Sequence, residues 1–267
     1  MSHSHEIGGW ALDGWLVTPL TLALGLYVIG LVKVWRRSLL SRRWLRAQEL
    51  AYVAGWLTLA VALVSPFYEL AEQLFTYHMI EHEIIMAVTA PLLVIGRPIG
   101  VMLWALPKAL RVPVARTARA RSIQCCWSWL VRPINATLIH GAAIWAWHVP
   151  AWFDAAVTDV LLHRLQHSSF LLSALLFWYS LLRTSVRGEP VWHLFFTMLH
   201  TSLLGALIAV SPRVLYLAQT AHSPAWGLTP LEDQQLAGIF MWVPAGIVYA
   251  GAALYFAARW IRPLRTG

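Results

Sequence analysis

The chain has 267 residues, of which 59% are hydrophobic and 12% charged, and its formal net charge is +8. A soluble domain typically carries about twice that charged fraction, so the composition excludes an ordinary water-soluble globule. The basic residues lie between apolar blocks, where membrane topology places them, which argues against a nucleic-acid-binding role.

The residues up to Trp15 hold no Lys or Arg, so no cleaved secretory leader is expected. Apolar blocks then recur at about 16–35, 51–66, 74–95, 133–148, 160–182, 193–210 and 236–260. A spanning helix needs about 20 mostly apolar residues. The blocks lack the alternation of barrel strands, and lipid tolerates only helices or closed barrels. The predicted fold is therefore all-α: a polytopic integral membrane bundle of seven transmembrane helices, with residues 1–267 forming a single membrane domain.

Between the third and fourth blocks, residues 97–132 carry Arg97, Lys108, Arg111, Arg116, Arg119, Arg121 and Arg132 and no acid. The apolar start of this loop is short and interrupted by Pro107, which suits an interfacial helix. Lys33, Arg36, Arg37, Arg42, Arg43 and Arg46 follow the first block; Arg183 and Arg187 follow the fifth; Arg259, Arg262 and Arg265 end the chain. All but Arg164 and Arg213 of the twenty basic residues thus fall on one side. The positive-inside rule makes that side cytoplasmic and puts the N-terminus outside and the C-terminus inside. Cys125 and Cys126, adjacent in the basic loop, are then expected to stay reduced in the cytoplasm.

Ionisable residues inside a membrane are functional candidates, and here they gather toward the outer half. His78 and His82, at i and i+4, share one face of the third helix. His163 and His167 repeat the arrangement on the fifth, and His148 ends the fourth. These five are candidate metal ligands, because neutral imidazole is the commonest protein metal ligand. Asp233 precedes the seventh helix on the outer side, with Met241 eight residues on, as Met86 is from His78. Thioether with imidazole suits copper(I); imidazole with carboxylate suits zinc or iron. Glu81 is placed to orient a histidine, whereas Glu83 points elsewhere. His140, His193 and His200 are as readily read as hydrogen-bonding residues that hold helices together. His3, His5 and His222 read as solvated loop residues. Pro91 and Pro244 fall inside spans and predict kinks.

The stretch Tyr77-His78-Met79-Ile80-Glu81-His82, continued by Ala90-Pro91-Leu92-Leu93-Val94-Ile95-Gly96-Arg97-Pro98, resembles the HMxxH…PLLxxGxP signature of the multi-span CtaG family of cytochrome c oxidase assembly factors. Trp147-His148-Val149-Pro150 with Phe153, His163-Arg164-Leu165-Gln166-His167 with Phe170 and Trp178, and Leu231-Glu232-Asp233-Gln234-Gln235-Leu236-Ala237-Gly238 with Met241-Trp242 extend the resemblance. It implies a bacterial inner-membrane protein that helps mature a haem-copper oxidase. Its cargo would be copper, held on the periplasmic side by His78, His82, His148, His163 and His167 with Asp233 and Met241 near them, and delivered to an oxidase subunit. Two other readings fit the histidines. One is a seven-helix intramembrane hydrolase with a histidine-bound zinc and Asp233 or Glu81 as general base. The other is a haem-binding membrane protein with axial ligands from two helices.

Overall fold

The computed structural model describes residues 10, 13–36 and 42–261. His3, His5, Arg37, Arg262 and Arg265 lie outside the described residues. Helix α1 (Gly14–Trp35) opens on Asp13, whose carboxylate accepts the Trp15 N–H at 3.0 Å. Helix α2 (Arg42–Val64) ends at Ser65, which caps a short α3 (Pro66–Gln73) with Pro66 in its first turn, the position where its missing N–H costs nothing.

The third span, Phe75–Gly96, is built from α4 (Phe75–Glu83), a π-helical turn (Ile84–Thr89) and α5 (Ala90–Gly96). Pro91 explains the turn. It offers no N–H, and its ring clashes with the carbonyl four residues back in a regular helix. Ala90 instead donates to the Ile85 carbonyl, five residues back. The Met86 carbonyl then has no helical donor, because Ala90 is already used and residue 91 has no N–H. Trp178 Nε1 supplies the missing bond at 2.9 Å. The distortion expected at Pro91 thus takes the form of a widened turn braced from a neighbouring helix.

Arg97 turns the chain in the left-handed region (φ 49°) into α6 (Pro98–Ala105), which packs against α1. A Cβ on Gly30 would lie 2.0 Å from the Val101 carbonyl oxygen, so only glycine permits this approach. Lys33 Nζ donates to the Ala105 carbonyl at 2.7 Å. Helices α7 (Lys108–Ala118) and α8 (Arg121–Leu130) are short and bury no residue. Then follow α9 (Pro133–Trp147), α10 (Pro150–Thr158), α11 (Val160–Arg183), α12 (Glu189–Val210), a 3₁₀ turn (Ser223–Trp226) and α13 (Pro230–Ile261). Among the described residues there is no strand.

Six helices are long and apolar enough to cross a membrane: Gly14–Trp35, Leu45–Val64, Phe75–Gly96, Val160–Arg183, Glu189–Val210 and Pro230–Ile261. The stretch read as the fourth span forms only the 15 residues of α9. That is about 22 Å of helix at 1.5 Å per residue, short of the roughly 30 Å hydrocarbon core. Helix α13 starts earlier than the apolar block suggests. Thr229 and Glu232 form a reciprocal cap there, Thr229 N–H to Glu232 Oε2 at 2.7 Å and Glu232 N–H to Thr229 Oγ1 at 3.2 Å. Glu232 and Asp233 therefore belong to the first helical turn.

Contacts sort the helix ends onto two faces. Asp13 at the start of α1 pairs with Arg164 at the start of α11, 2.6 Å apart, and the start of α13 bonds the start of α4. At the other face, α6 holds the end of α1, Trp127 of α8 packs on Tyr179 near the end of α11 (5.4 Å), and Gly188 before α12 meets Trp260 near the end of α13. Thr137 Oγ1 near the start of α9 lies 2.9 Å from His193 Nδ1 near the start of α12, and the carbonyl of His148 at the end of α9 accepts from Tyr216 Oη at 2.8 Å. Inside, one apolar cluster including Phe75, Met79, Phe153, Phe170, Phe177 and Trp178 fills the space among α4, α10, α11, α12 and α13. Outside, Leu172, Leu199, Ile247 and Leu254 are exposed, the outward apolarity of a bundle solvated by lipid. Helices α12 and α13 meet backbone to backbone, since a Cβ on Gly238 would lie 2.6 Å from the Gly205 carbonyl oxygen. Small residues commonly allow such contacts in membranes.

If Trp178 braces the π turn, Trp178→Phe strands a buried carbonyl. It should lower stability by about 1–3 kcal/mol, read as a fall in the thermal midpoint of the detergent-purified protein; an unchanged midpoint would remove the brace from the account.

Candidate metal centre

The i,i+4 spacing places His78 and His82 on one face of α4 with ring centres 4.3 Å apart, and His163 and His167 on one face of α11 at 4.4 Å. The two faces meet. His78 lies 5.7 Å from His163 and 5.8 Å from His167, and His82 lies 4.9 Å from His167. Two imidazoles bound tetrahedrally to one ion, with metal–nitrogen bonds of about 2.0–2.1 Å, would hold their ring centres about 5 Å apart. The ring spacings within the group lie on either side of that distance. The group is not a closed cage: among the described residues, no three or more His, Cys, Asp or Glu side chains stand ready around a single ion. Closure requires rings to rotate.

Hydrogen bonding shows which nitrogens are available. His148 Nδ1 lies 2.6 Å from the Ile144 carbonyl and His167 Nδ1 lies 3.1 Å from the His163 carbonyl. A carbonyl only accepts, so each Nδ1 carries a proton; the Nε2 of neutral His148 then keeps a lone pair, whereas the Nε2 of His167 faces the Glu81 carboxylate as a donor. Histidine ligands are commonly oriented in this way, with the other nitrogen tied to a carbonyl or carboxylate. The Nε2 atoms of His78, His148, His163 and His167, and both ring nitrogens of His82, are buried with no hydrogen-bond partner among the described residues.

Glu81 joins the group across the helix interface. Its Oε1 lies 3.2 Å from His167 Nε2, yet neither carboxylate oxygen forms an aligned hydrogen bond. Two lone-pair atoms this close in a buried place need a proton or a cation between them. The carboxylate thus serves the α11 histidine, not those on its own helix. Glu83, two residues on, faces away and lines a 270 Å³ cleft with Pro244 and Ala245.

Access is graded. His78 and His82 are 1% exposed, while the His167 side chain is 12% exposed and His163 is half-buried beneath the Tyr68 ring, 6.2 Å away. The group opens toward the face that holds Asp13 and Arg164. Tyr68 carries no sequence signal that would have singled it out.

The other predicted ligands take different places. His148 is buried, and the rings of Phe153 and Phe170 lie 6.0 and 6.1 Å from it. The same phenylalanines contact His78 (5.2 Å) and His82 (4.7 Å). Asp233 is fully buried, and its carboxylate accepts from Phe75 N–H (2.8 Å), Thr76 N–H (2.9 Å), Thr76 Oγ1 (2.7 Å) and Ser223 Oγ (2.7 Å). The residue at the N-cap of α4, Leu74, provides no side-chain cap, so Asp233 caps that helix from a distant point in the chain. Both of its oxygens are taken. Met241 lies in the apolar cluster, as do Ala237, Ala245 and Tyr249. His222 is exposed and precedes the 3₁₀ turn.

Together these features define a multi-pass helical membrane protein with a buried histidine group near one face. A family model described as the cytochrome c oxidase caa3 assembly factor matches residues 25–263, nearly the whole chain, and the chain belongs to that family. No curated protein and no solved structure matches it.

The capping role of Asp233 separates structure from ligation. Asp233→Asn should lower the thermal midpoint, by about 1–2 kcal/mol in stability, and leave metal content unchanged. Lost metal at an unchanged midpoint would make Asp233 a ligand.

Proposed function

We propose that this assembly factor takes up copper on the outer face of the bacterial cytoplasmic membrane and passes it to a subunit of a haem-copper oxidase. One observation carries the reading: four imidazoles from α4 and α11 meet with unpartnered nitrogens beside the Glu81 carboxylate. His78, His82, His163 and His167 form the ligand pool, and Glu81 neutralises charge and holds His167. His148, beside Phe153 and Phe170, is a further ligand of the pool. Copper is the cargo, so the site must release as well as bind. A pool of histidines without a closed cage favours exchange, because ligands can be traded one at a time, and the half-buried His163 and His167 provide the exit. An oxidase subunit is the acceptor that the family description favours.

In this reading α9 is a seventh crossing, shorter than the others, with the N-terminus outside and the basic face in the cytoplasm. Cys125 and Cys126 are exposed on α8. A membrane-impermeant maleimide should label them in inverted vesicles and not in intact spheroplasts; the opposite pattern would invert the topology and put the histidine group in the cytoplasm.

His78→Ala/His82→Ala should abolish copper retention by the detergent-purified protein and lower oxidase activity in cells. Unchanged copper and oxidase activity would refute the assignment. Stoichiometric zinc in place of copper would favour a hydrolase, and a Soret band a haem protein.

A further inference from the structure

A 270 Å³ cleft separates the third span from α13 on the side of α4 that Glu83 faces. Both of its walls are irregular. Ile84, Ala87 and Val88 belong to the π turn, and across from them Pro244 interrupts α13. Pro244 has no N–H to return to the Phe240 carbonyl four residues back, and Phe240 is itself a wall residue. A proline kink beside a π turn keeps the two spans apart at this level. The cleft opens outward: Phe240 and Pro244 are exposed, on a side of α13 where Val243 and Ile247 also face lipid. Among the residues that line it, only Glu83 has a polar side chain. Glu83 is 9% exposed, and its Oε2 is buried with no hydrogen-bond partner among the described residues. It lies eight residues past Phe75, the first residue of its span, which is about 12 Å of helix at 1.5 Å per residue.

We propose that this cleft binds the hydroxylated ring of a lipid-soluble quinol, with Glu83 as the group that recognises a ring hydroxyl. An unpartnered carboxyl oxygen buried in an apolar wall costs free energy, and ionisable residues at membrane depth mark sites. The wall brings no fixed donor: the Glu83 carboxyl and the Phe240 carbonyl both accept, so the occupant supplies the donor. A hydroxyl suits Glu83 in either protonation state, because a carboxylate accepts from it and a carboxylic acid can also donate to it. An ammonium or guanidinium suits the carboxylate alone, and a quinone carbonyl suits the acid alone. Depth excludes a phospholipid headgroup, which stays at the membrane surface, whereas a quinol dissolves in the hydrocarbon and carries its hydroxyls there. Size agrees. An apolar cavity of about 150 Å³ holds benzene, so 270 Å³ takes one substituted ring and the start of its tail, and a haem is too large. Glu81 and Glu83 thus serve different sides of α4, the first beside His167 and the second in the cleft. The site needs no metal in the histidine group.

The test uses the full-length protein in nanodiscs of synthetic phosphatidylcholine, kept anaerobic. The probe is a short-tailed benzoquinol with a photoreactive diazirine where the tail meets the ring, and cross-linked peptides are identified by mass spectrometry. Unlabelled decylubiquinol, decylubiquinone and dodecanol compete with it. Wild type is compared with Glu83→Leu, which removes the recognising group, and with Val88→Phe, which fills the cleft and keeps the carboxyl. A single size-exclusion peak verifies folding of each. The inference expects saturable cross-linking confined to residues 80–88 and 240–248. Decylubiquinol should compete at concentrations at least tenfold lower than the quinone or the alcohol, and both variants should bind the probe at least tenfold more weakly. Glu83→Leu should hold or raise the thermal midpoint, since no hydrogen bond is lost. Cross-linking that does not saturate, or that spreads over the lipid-facing surface, overturns the inference. So does equal competition by the quinone or by dodecanol, or unchanged binding in Glu83→Leu. A lower midpoint in Glu83→Leu would make the carboxyl a structural group and overturn its role in recognition.

Discussion

A neutral imidazole has one nitrogen that donates and one that accepts, and burial makes an unmet need at either nitrogen costly. In this bundle the donating nitrogens of His148 and His167 are spent on carbonyls of their own helices. His167 Nε2 then faces the Glu81 carboxylate, 3.2 Å away, while Nε2 of His148 finds no hydrogen-bond partner among the described residues. The unpartnered lone pairs of such a buried group are satisfied only by a proton or a cation. Much of the structure around the histidine group holds these rings in place.

The third span does most of the holding, and its two ends are fixed by residues far away in sequence. Asp233 caps its first turn through four hydrogen bonds, setting the height and rotation of His78. Trp178 completes the widened turn before Pro91, which sets the path of the helix after His82. Phe153 packs on His78 and His148, and Phe170 on His82 and His148. Apolar filling of this kind lowers the local dielectric and so strengthens any charge interaction in the group.

Much of this was legible in the sequence, and the gaps have physical causes. The apolar blocks located six spans, four of them to within four residues and two with starts six residues late, because lipid demands long apolar runs but polar first turns add to a helix. The i,i+4 pairs gave the face of each helix, and the family motif tied them to one protein class. The block at 133–148 looked like an ordinary span, but a run of apolar residues does not reveal that Pro133 and Trp147 bound a helix of only 15 residues. Asp233 looked like a ligand because it is an acid near histidines; that its oxygens are consumed by the N–H groups of α4 depends on how α13 packs, which spacing cannot report. Glu81 was legible as an orienter but not its partner, since the partner sits on another helix. Tyr68 gave no signal at all, because a lone tyrosine near a helix end is common.

The central claim is that the lone pairs of the α4 and α11 histidines bind copper together. The most direct measurement is X-ray absorption at the copper edge on the loaded wild-type protein, where bound imidazoles give a distinctive outer-shell scattering pattern. The account predicts a first shell of nitrogen or oxygen with scattering from at least two imidazoles, reduced when His163 and His167 are both replaced by alanine. A shell dominated by sulfur, or a spectrum that does not change in that variant, would contradict it.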